Sequence, residues 1–332
     1  MLSHWKIIVI IILILGLAGI FIALSSFDSP QKQEKSDDEG IILGFSQIGA
    51  ESAWRKCNTR SVKEAAENAG VQLLFENAEQ KQENQIKAIR SFIVYQVDVI
   101  AFVPIVADGW DNILKEAKNA GIPVLVTDRK ITTENEDLYA GFIGTDSEQE
   151  GREAGYFLLK KFADRPAGDP VRIIEISGTE GSSVAVGRAD GFREIVEDNP
   201  DFEIIYTESG DFLRSKGYEI MTRLLKKFKD IDVLYSHNDG MTLGAMDAMK
   251  EVGIRPGKDI VIITIDARQA AIDALRNGEV NCVIECNPKT GPAILSLSHQ
   301  LARGETIPRL QHVHEEVFTE YDDLSAIAPR GY

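Results

Sequence analysis

Residues 41–76 read IILGFSQIGAESAWRKCNTRSVKEAAENAGVQLLFE. An apolar, β-branched start (Ile41 to Ser46), a longer stretch from Trp54 to Ala69 closed by Gly70, and a second apolar run from Val71 to Glu76 predict strand, helix and strand in that order. Such a unit closes as two parallel strands joined by a crossover helix. The alternation continues outward. Gln80 to Tyr95 is expected to be helical, with Ile86, Ile89 and Ile93 marking its buried face. Strands over Val99 to Val103 and Val124 to Thr127 flank a helix from Trp110 to Ala120 that Gly121 ends, and Tyr139 to Gly144 completes a first set.

A second set follows a long helix from Asp146 to Phe162. Its strands are expected at Val171 to Ser177, Phe202 to Glu208, Val233 to Ser236, Ile260 to Asp266 and Val280 to Cys286. Helices over Ser182 to Asp198, Arg214 to Phe228, Met241 to Val252 and Gln269 to Asn277 separate them. About ten strands are too many for one compact layer, so the pattern predicts an α/β fold of two doubly wound parallel-sheet lobes with a cleft between them. The last helix, Gly291 to Ala302, and a strand over His312 to Thr319 come after both sets, which implies that the chain crosses back between lobes.

Length and composition agree with two ordinary domains. The chain has 332 residues, and a domain takes roughly 100–200. Hydrophobic residues make up 44% and charged residues 27%, which excludes a disordered or fibrous chain. Thirty-six Lys and Arg against 52 Asp and Glu give a net charge of −16, so the basic footprint that drives nucleic-acid binding is missing and no nucleic-acid partner is expected. Three cysteines, Cys57, Cys282 and Cys286, cannot make a disulfide framework.

Ile7 to Leu24 carries no charge over 18 residues, after His4 and Lys6 and before the polar stretch Ser25 to Gly40. As a helix it reaches about 27 Å, just enough for a hydrocarbon core of roughly 30 Å. A basic start, an apolar middle and small residues at Ala23, Ser25 and Ser26 also satisfy a cleaved signal peptide. Residues 1–26 are thus expected to be a signal peptide or membrane anchor, and 27–40 a flexible tether. Either reading places the remainder in the periplasm or on the extracytoplasmic face of the membrane. Without residues 1–26 the body keeps 35 bases against 52 acids, net −17.

Ligands of open parallel sheets sit beyond the carboxyl ends of the strands. Those ends carry Gly44 to Arg55, Thr127-Asp128-Arg129, Ser236-His237-Asn238-Asp239 and Ile265-Asp266-Ala267-Arg268, each with an acid, an amide or an arginine. Carboxylates, amides and guanidinium forks suit the hydroxyls of a neutral sugar, and Trp54, Trp110 or Phe212 could stack on its C–H face. Each also has a structural reading. Asp128, Asn238 and Asp239 could cap helices, Arg55 and Arg188 could be surface residues, and Trp54 and Trp110 could be core.

Gly44-Phe45-Ser46-Gln47, Glu51-Ser52, Trp54-Arg55, the run Gln80 to Ala88, Thr127-Asp128-Arg129, Gly210-Asp211-Phe212, Arg214-Ser215-Lys216-Gly217, His237-Asn238-Asp239 and Pro256 to Ile260 follow one another in an order and spacing that resemble a known family. It is the type I periplasmic sugar-binding proteins of ABC importers, within the ribose, galactose and xylose binder group and nearest its galactofuranose binders. The resemblance covers about residues 41–300. It implies a clamp of two lobes joined by three hinge crossovers, 41–145 with 287–309 and 146–286 with 310–332, that closes on one monosaccharide and delivers it to an ABC permease as a monomer. By match to the family's motifs, Arg55, Asp128 and Arg129 would contact the ring from the first lobe, and Arg188, Asn238 and Asp266 from the second. Phe212 would form an aromatic wall and Trp54 would lie beside the first-loop contact, with Gln47 and Glu51 as further contacts. Pentose binders of the group carry two aromatics where this chain has Trp54-Arg55, which favours a galactofuranose-like ligand over ribose.

No cofactor, metal or catalytic residue is expected. His312 and His314 lack further ligands nearby in sequence, Gly178 and Gly181 lack the Lys-Ser/Thr ending of a phosphate loop, and no Gly-x-Ser-x-Gly elbow occurs. An anchored sensor presenting sugar to a chemoreceptor or sensor kinase is the alternative from the signalling class. A hydrolase or aldolase would turn the sugar over, whereas a receptor releases it unchanged. A repressor would need a helix-turn-helix where the Ile7 to Leu24 segment lies.

Overall fold

The computed structural model describes residues 40–166 and 168–332; the expected signal or anchor segment and most of the tether lie outside them. Among the described residues no helix is long and apolar enough to cross a membrane. The chain runs β1 (Ile42–Gln47), α1 (Ala53–Asn68), β2 (Gln72–Asn77), α2 (Gln82–Val94), β3 (Val99–Phe102), α3 (Asp111–Asn119), β4 (Val124–Thr127), β5 (Gly141–Gly144) and α4 (Ser147–Lys161). It continues through β6 (Val171–Ser177), α5 (Ser183–Val196), β7 (Phe202–Ser209), α6 (Arg214–Lys227), β8 (Val233–Ser236), α7 (Asp239–Glu251), β9 (Val261–Asp266), α8 (Gln269–Arg276) and β10 (Cys282–Glu285). The last elements are α9 (Gly291–Ala302), β11 (Leu310–His312) and β12 (Val317–Thr319).

Among the described residues the strands form two six-stranded sheets, ordered β11-β5-β4-β3-β1-β2 and β12-β10-β9-β8-β6-β7. The five inner-set strands of each follow the same doubly wound order, second-first-third-fourth-fifth. Every pairing is parallel except β10 with β12. β3, β4, β5, β8 and β10 are buried at every residue, as strands covered by helices on both faces must be.

Local chemistry sets the element ends. The Ser52 side chain accepts from the Arg55 amide at 3.0 Å and starts α1, and Gly70, at φ +66°, follows its end in the left-handed conformation that halts a helix. On α2 the buried face is centred on Gln85, Ala88, Ile89 and Phe92, one step from the expected isoleucine stripe, with Ile86 and Ile93 only partly buried. Gln85 is inside because its Nε2 donates to the Val103 carbonyl at 2.6 Å and its Oε1 accepts from the Ile105 amide at 3.1 Å.

The expected strand over His312 to Thr319 is two strands on different sheets. Leu310–His312 pairs with β5 and Val317–Thr319 with β10, so the change of lobe falls at residues 313–316. This is a correction to the grouping of 310–312 with the second lobe. Two further crossings lie between β5 and α4 and between β10 and α9, which makes three.

Helices α4 and α5 approach through glycine. A Cβ on Gly191 would lie 2.0 Å from the Glu148 carbonyl oxygen, and one on Gly151 would lie 2.3 Å from that of Arg188. Backbone cannot yield as a flexible side chain can. Gly191→Ala is therefore expected to cost about 1–3 kcal/mol of stability, read from urea unfolding midpoints; an unchanged midpoint would show that the helix pair slides freely.

Candidate functional site

A gap of about 340 Å³, partly open to solvent, lies between the carboxyl ends of the two sheets. From the first lobe it is lined by Glu51, Ser52, Trp54, Arg55, Asp128 and Arg129, and from the second by Val184, Arg188, Phe212, Asn238, Asp266 and Cys286. Nine of the ten contacts implied by the resemblance thus converge there. The tenth, Gln47, does not line the gap: its Nε2 donates to Asn58 Oδ1 at 3.0 Å and to Thr59 Oγ1 at 3.1 Å, and its Oε1 accepts from the Ile48 amide at 3.1 Å. It braces the turn between β1 and α1.

The arginines are interior, not surface, residues: Arg55 is 3% exposed and Arg188 2%. Arg55 donates from Nη2 to Asp128 Oδ2 at 2.7 Å and from Nε to Glu51 Oε1 at 3.1 Å. Burial opposes its charge, but Asp128 and then Glu51 outweigh that and raise its pKa. Arg188 donates from Nε to Glu150 Oε2 at 2.6 Å and from Nη1 to the His237 carbonyl at 2.5 Å. Here too burial is outweighed, chiefly by Glu150, and the guanidinium is held well above its ordinary value. Burial, followed by the neighbouring Arg55, pulls Arg129 down to about 10, so it remains a cation at neutral pH. Burial, with the nearby Asp239, pushes the Asp266 carboxyl well up.

Several of these groups are underused. Among the described residues, the buried side-chain polar atoms without a partner include Glu51 Oε2, Arg55 Nη1 and Arg129 Nε, all on lining residues. An unmade hydrogen bond at a buried site costs about 1–3 kcal/mol. Backbone strain collects in the same place. Asp128 (φ +64°), Asp211 (+52°), Phe212 (+61°), Asp266 (+121°) and Ala267 (+61°) occupy positive φ without being glycine, which costs on the order of 1–3 kcal/mol each and is typical of ligand clamps.

The aromatic candidates separate. Trp110 is fully buried against Phe102, ring centroids 4.9 Å apart, with its Nε1 donating to the Val106 carbonyl at 2.9 Å; it is core. Trp54 borders the gap, packs in the second lobe's core, and donates from Nε1 to the Cys286 carbonyl at 2.6 Å. Phe212 faces the Arg129 and Arg188 guanidinium carbons at 5.6 and 6.0 Å from its ring centre. Gly178 makes room for it, since a Cβ there would fall 2.0 Å from the ring.

Asn238 satisfies both readings. Its Oδ1 accepts from the Met241 amide at 2.9 Å, capping α7, its Nδ2 donates to the Phe212 carbonyl at 3.2 Å, and it lines the gap. Asp239 stands behind, its carboxylate accepting from Thr264 Oγ1 at 2.8 Å and the Arg268 amide at 2.7 Å; burial raises it to about 7. The residues that sequence reasoning passes over are Ser52, Val184 and Glu150. Ser52 carries a capping signal only, Val184 reads as ordinary helix core, and Glu150 sits on a helix whose approach to Arg188 nothing local announces.

The chain matches the periplasmic binding protein domain over residues 43–306. It is 43% identical over 261 residues to the galactofuranose-binding protein YtfQ of Escherichia coli (strain K12), a match covering 77% of this chain and 81% of that protein. A crystal structure from Mycobacterium smegmatis in complex with β-D-fucofuranose superposes with a TM-score of 0.83 at 45% identity, over 86% of this chain and 93% of that one. The periplasmic binding protein component of the arabinose ABC transporter from Shewanella sp. ANA-3, bound to α- and β-L-arabinofuranose, gives 0.81 at 38% identity, over 86% and 93%. This two-lobed chain belongs to the periplasmic binding protein family.

Proposed function

We propose that the protein is the extracytoplasmic solute-binding component of an ABC sugar importer, capturing one monosaccharide in furanose form, galactofuranose-like, and handing it to the permease. One observation supports the ligand class: Glu51, Arg55 and Arg129, which line the gap, each carry a buried polar atom without a partner, as groups awaiting hydroxyls would. The furanose ligands of the relatives at 38–45% identity support the ring form, and the transport role of the Shewanella protein supports import over sensing.

In this reading Arg55, Asp128, Arg129 and Glu51 hold the ring from the first lobe, and Arg188, Asn238 and Asp266 from the second. Phe212 and Trp54 wall the site. Ligand bridging both lobes stabilises the closed form, and the closed form is what the permease recognises. The moving bodies are residues 41–145 with 287–312 and 146–286 with 317–332, the chain acting as a single copy exported through residues 1–26. Sugar is released without turnover.

Mass spectrometry of ligand released from gently purified protein, followed by calorimetry with galactofuranose, arabinofuranose and ribose, tests this. A released pentopyranose, or a hydrolysed product, would overturn it. Phe212→Ala is expected to weaken binding by about 1–3 kcal/mol, the stacking and burial of one ring. An unchanged Kd would put the ring outside the contact surface.

A further inference from the structure

The three lobe crossings bring together groups far apart in the chain: Glu150 in the first turn of α4, Cys286 just past β10, and Glu315 between β11 and β12. One ligating atom of each lies within 4.8 Å of the other two. Glu150 and Cys286 are 2% and 3% exposed, and Glu315 is partly buried. A second observation concerns Glu150 itself. Its Oε2 is taken by Arg188, but its Oε1 is buried without a partner.

A carboxylate oxygen in that state needs a proton-bearing neighbour or a cation. Ionised, the two carboxylates and the thiolate carry three negative charges. Arg188 answers one of them; a divalent cation would answer the other two. We propose that Glu150, Cys286 and Glu315 form a binding site for one borderline-soft divalent cation, with Zn²⁺ the best match, at the hinge beside the interlobe gap.

Thiolate with carboxylate is a Zn²⁺ donor set, whereas Ca²⁺ and Mg²⁺ prefer six or more oxygens. Three protein ligands leave a fourth tetrahedral position for water. Cys286 also lines the gap, so an ion can enter while the lobes are apart. Glu150 and Cys286 belong to the second lobe beside two of the crossings and Glu315 lies on the third, so the ion would brace the second-lobe side of the hinge.

The site would exchange protons for metal. The Asn287 amide donates to Glu315 Oε1 at 3.0 Å. A thiolate and two carboxylates ligate only in their deprotonated forms. Metal binding must therefore release protons and weaken as pH falls.

The test titrates Co²⁺ and Zn²⁺ into the chelator-treated full chain without sugar. Co²⁺ is followed by its near-ultraviolet thiolate charge-transfer band, and Zn²⁺ by calorimetry in two buffers of different ionisation enthalpy. The expected result is one equivalent, a thiolate band, proton release, loss of the band in Cys286→Ser, and Zn²⁺ binding weakened about tenfold or more in Glu315→Gln. Absence of saturable binding, or a saturable ion without a thiolate band, would overturn the site. If Cys286→Ser does not fold, Zn²⁺ protection of Cys286 from a thiol reagent in the native chain decides the matter, with unprotected labelling counting against the site. No readout uses sugar, so this site and the ligand reading stand or fall separately.

Discussion

Asp128→Asn is expected to weaken sugar binding by about 2–5 kcal/mol, some thirtyfold to several thousandfold in Kd. Asp128 sits at the end of β4, 8% exposed, with Oδ2 held by Arg55. Removing its charge takes an acceptor from ring hydroxyls and half the counter-charge from Arg55, which keeps Glu51. Asparagine is the cleaner variant because it tolerates φ +64° where most side chains do not. Calorimetry gives the affinity and circular dichroism checks the fold. Undiminished affinity with an intact fold would remove Asp128 from the ligand contacts.

Glu150→Leu is expected to cost about 3–5 kcal/mol of stability in the absence of sugar. Both members of the Glu150–Arg188 pair are 2% exposed at the side chain, so deleting Glu150 leaves a buried guanidinium without its hydrogen-bonded carboxylate. The remaining bond from Arg188 to the His237 carbonyl is too little compensation. Adding Arg188→Met should recover most of the loss, because replacing both charges with apolar groups of similar size is close to neutral. Denaturation of the two variants side by side measures this. A single variant within about 1 kcal/mol of the parent would mean that water reaches Arg188.

Behind Arg188 a polar chain continues through the second lobe. His237 accepts at Nδ1 from the Gly178 amide at 3.3 Å, so its Nε2 donates to Glu175 Oε1 at 3.0 Å. Burial keeps His237 neutral. Glu175 is held down at about 2: burial alone would raise it, but His237 and then Arg193 outweigh that. This neutral imidazole fixes the loop whose carbonyl holds Arg188, so the position of a gap-lining guanidinium depends on residues that never reach the gap.

The alternation of apolar runs and helical stretches was enough to infer two parallel-sheet lobes, because a strand buried on both faces leaves a continuous β-branched signature and a crossover helix leaves a periodic one. Strand ends also announced Asp128, Asn238 and Asp266, since in such sheets the carboxyl end is where ligands sit. Local sequence could not separate Trp54 from Trp110, both large and apolar beside a strand end. Only packing decided that Trp110 fills the core while Trp54 reaches across to the Cys286 carbonyl.

The family resemblance implied Gln47 as a contact, yet its amide is spent on Asn58 and Thr59. The order of elements and their approximate bounds follow from residue type and spacing, which are local quantities, whereas Arg129, Arg188 and Phe212 at the gap were implied by the family resemblance. The split of His312 to Thr319 between two sheets, the pairing of Glu150 with Arg188, and the meeting of Glu150, Cys286 and Glu315 at the hinge depend on which distant segments touch. Contacts between segments far apart in sequence arise from the closure of whole lobes, and the residues that make them carry no mark of their partners.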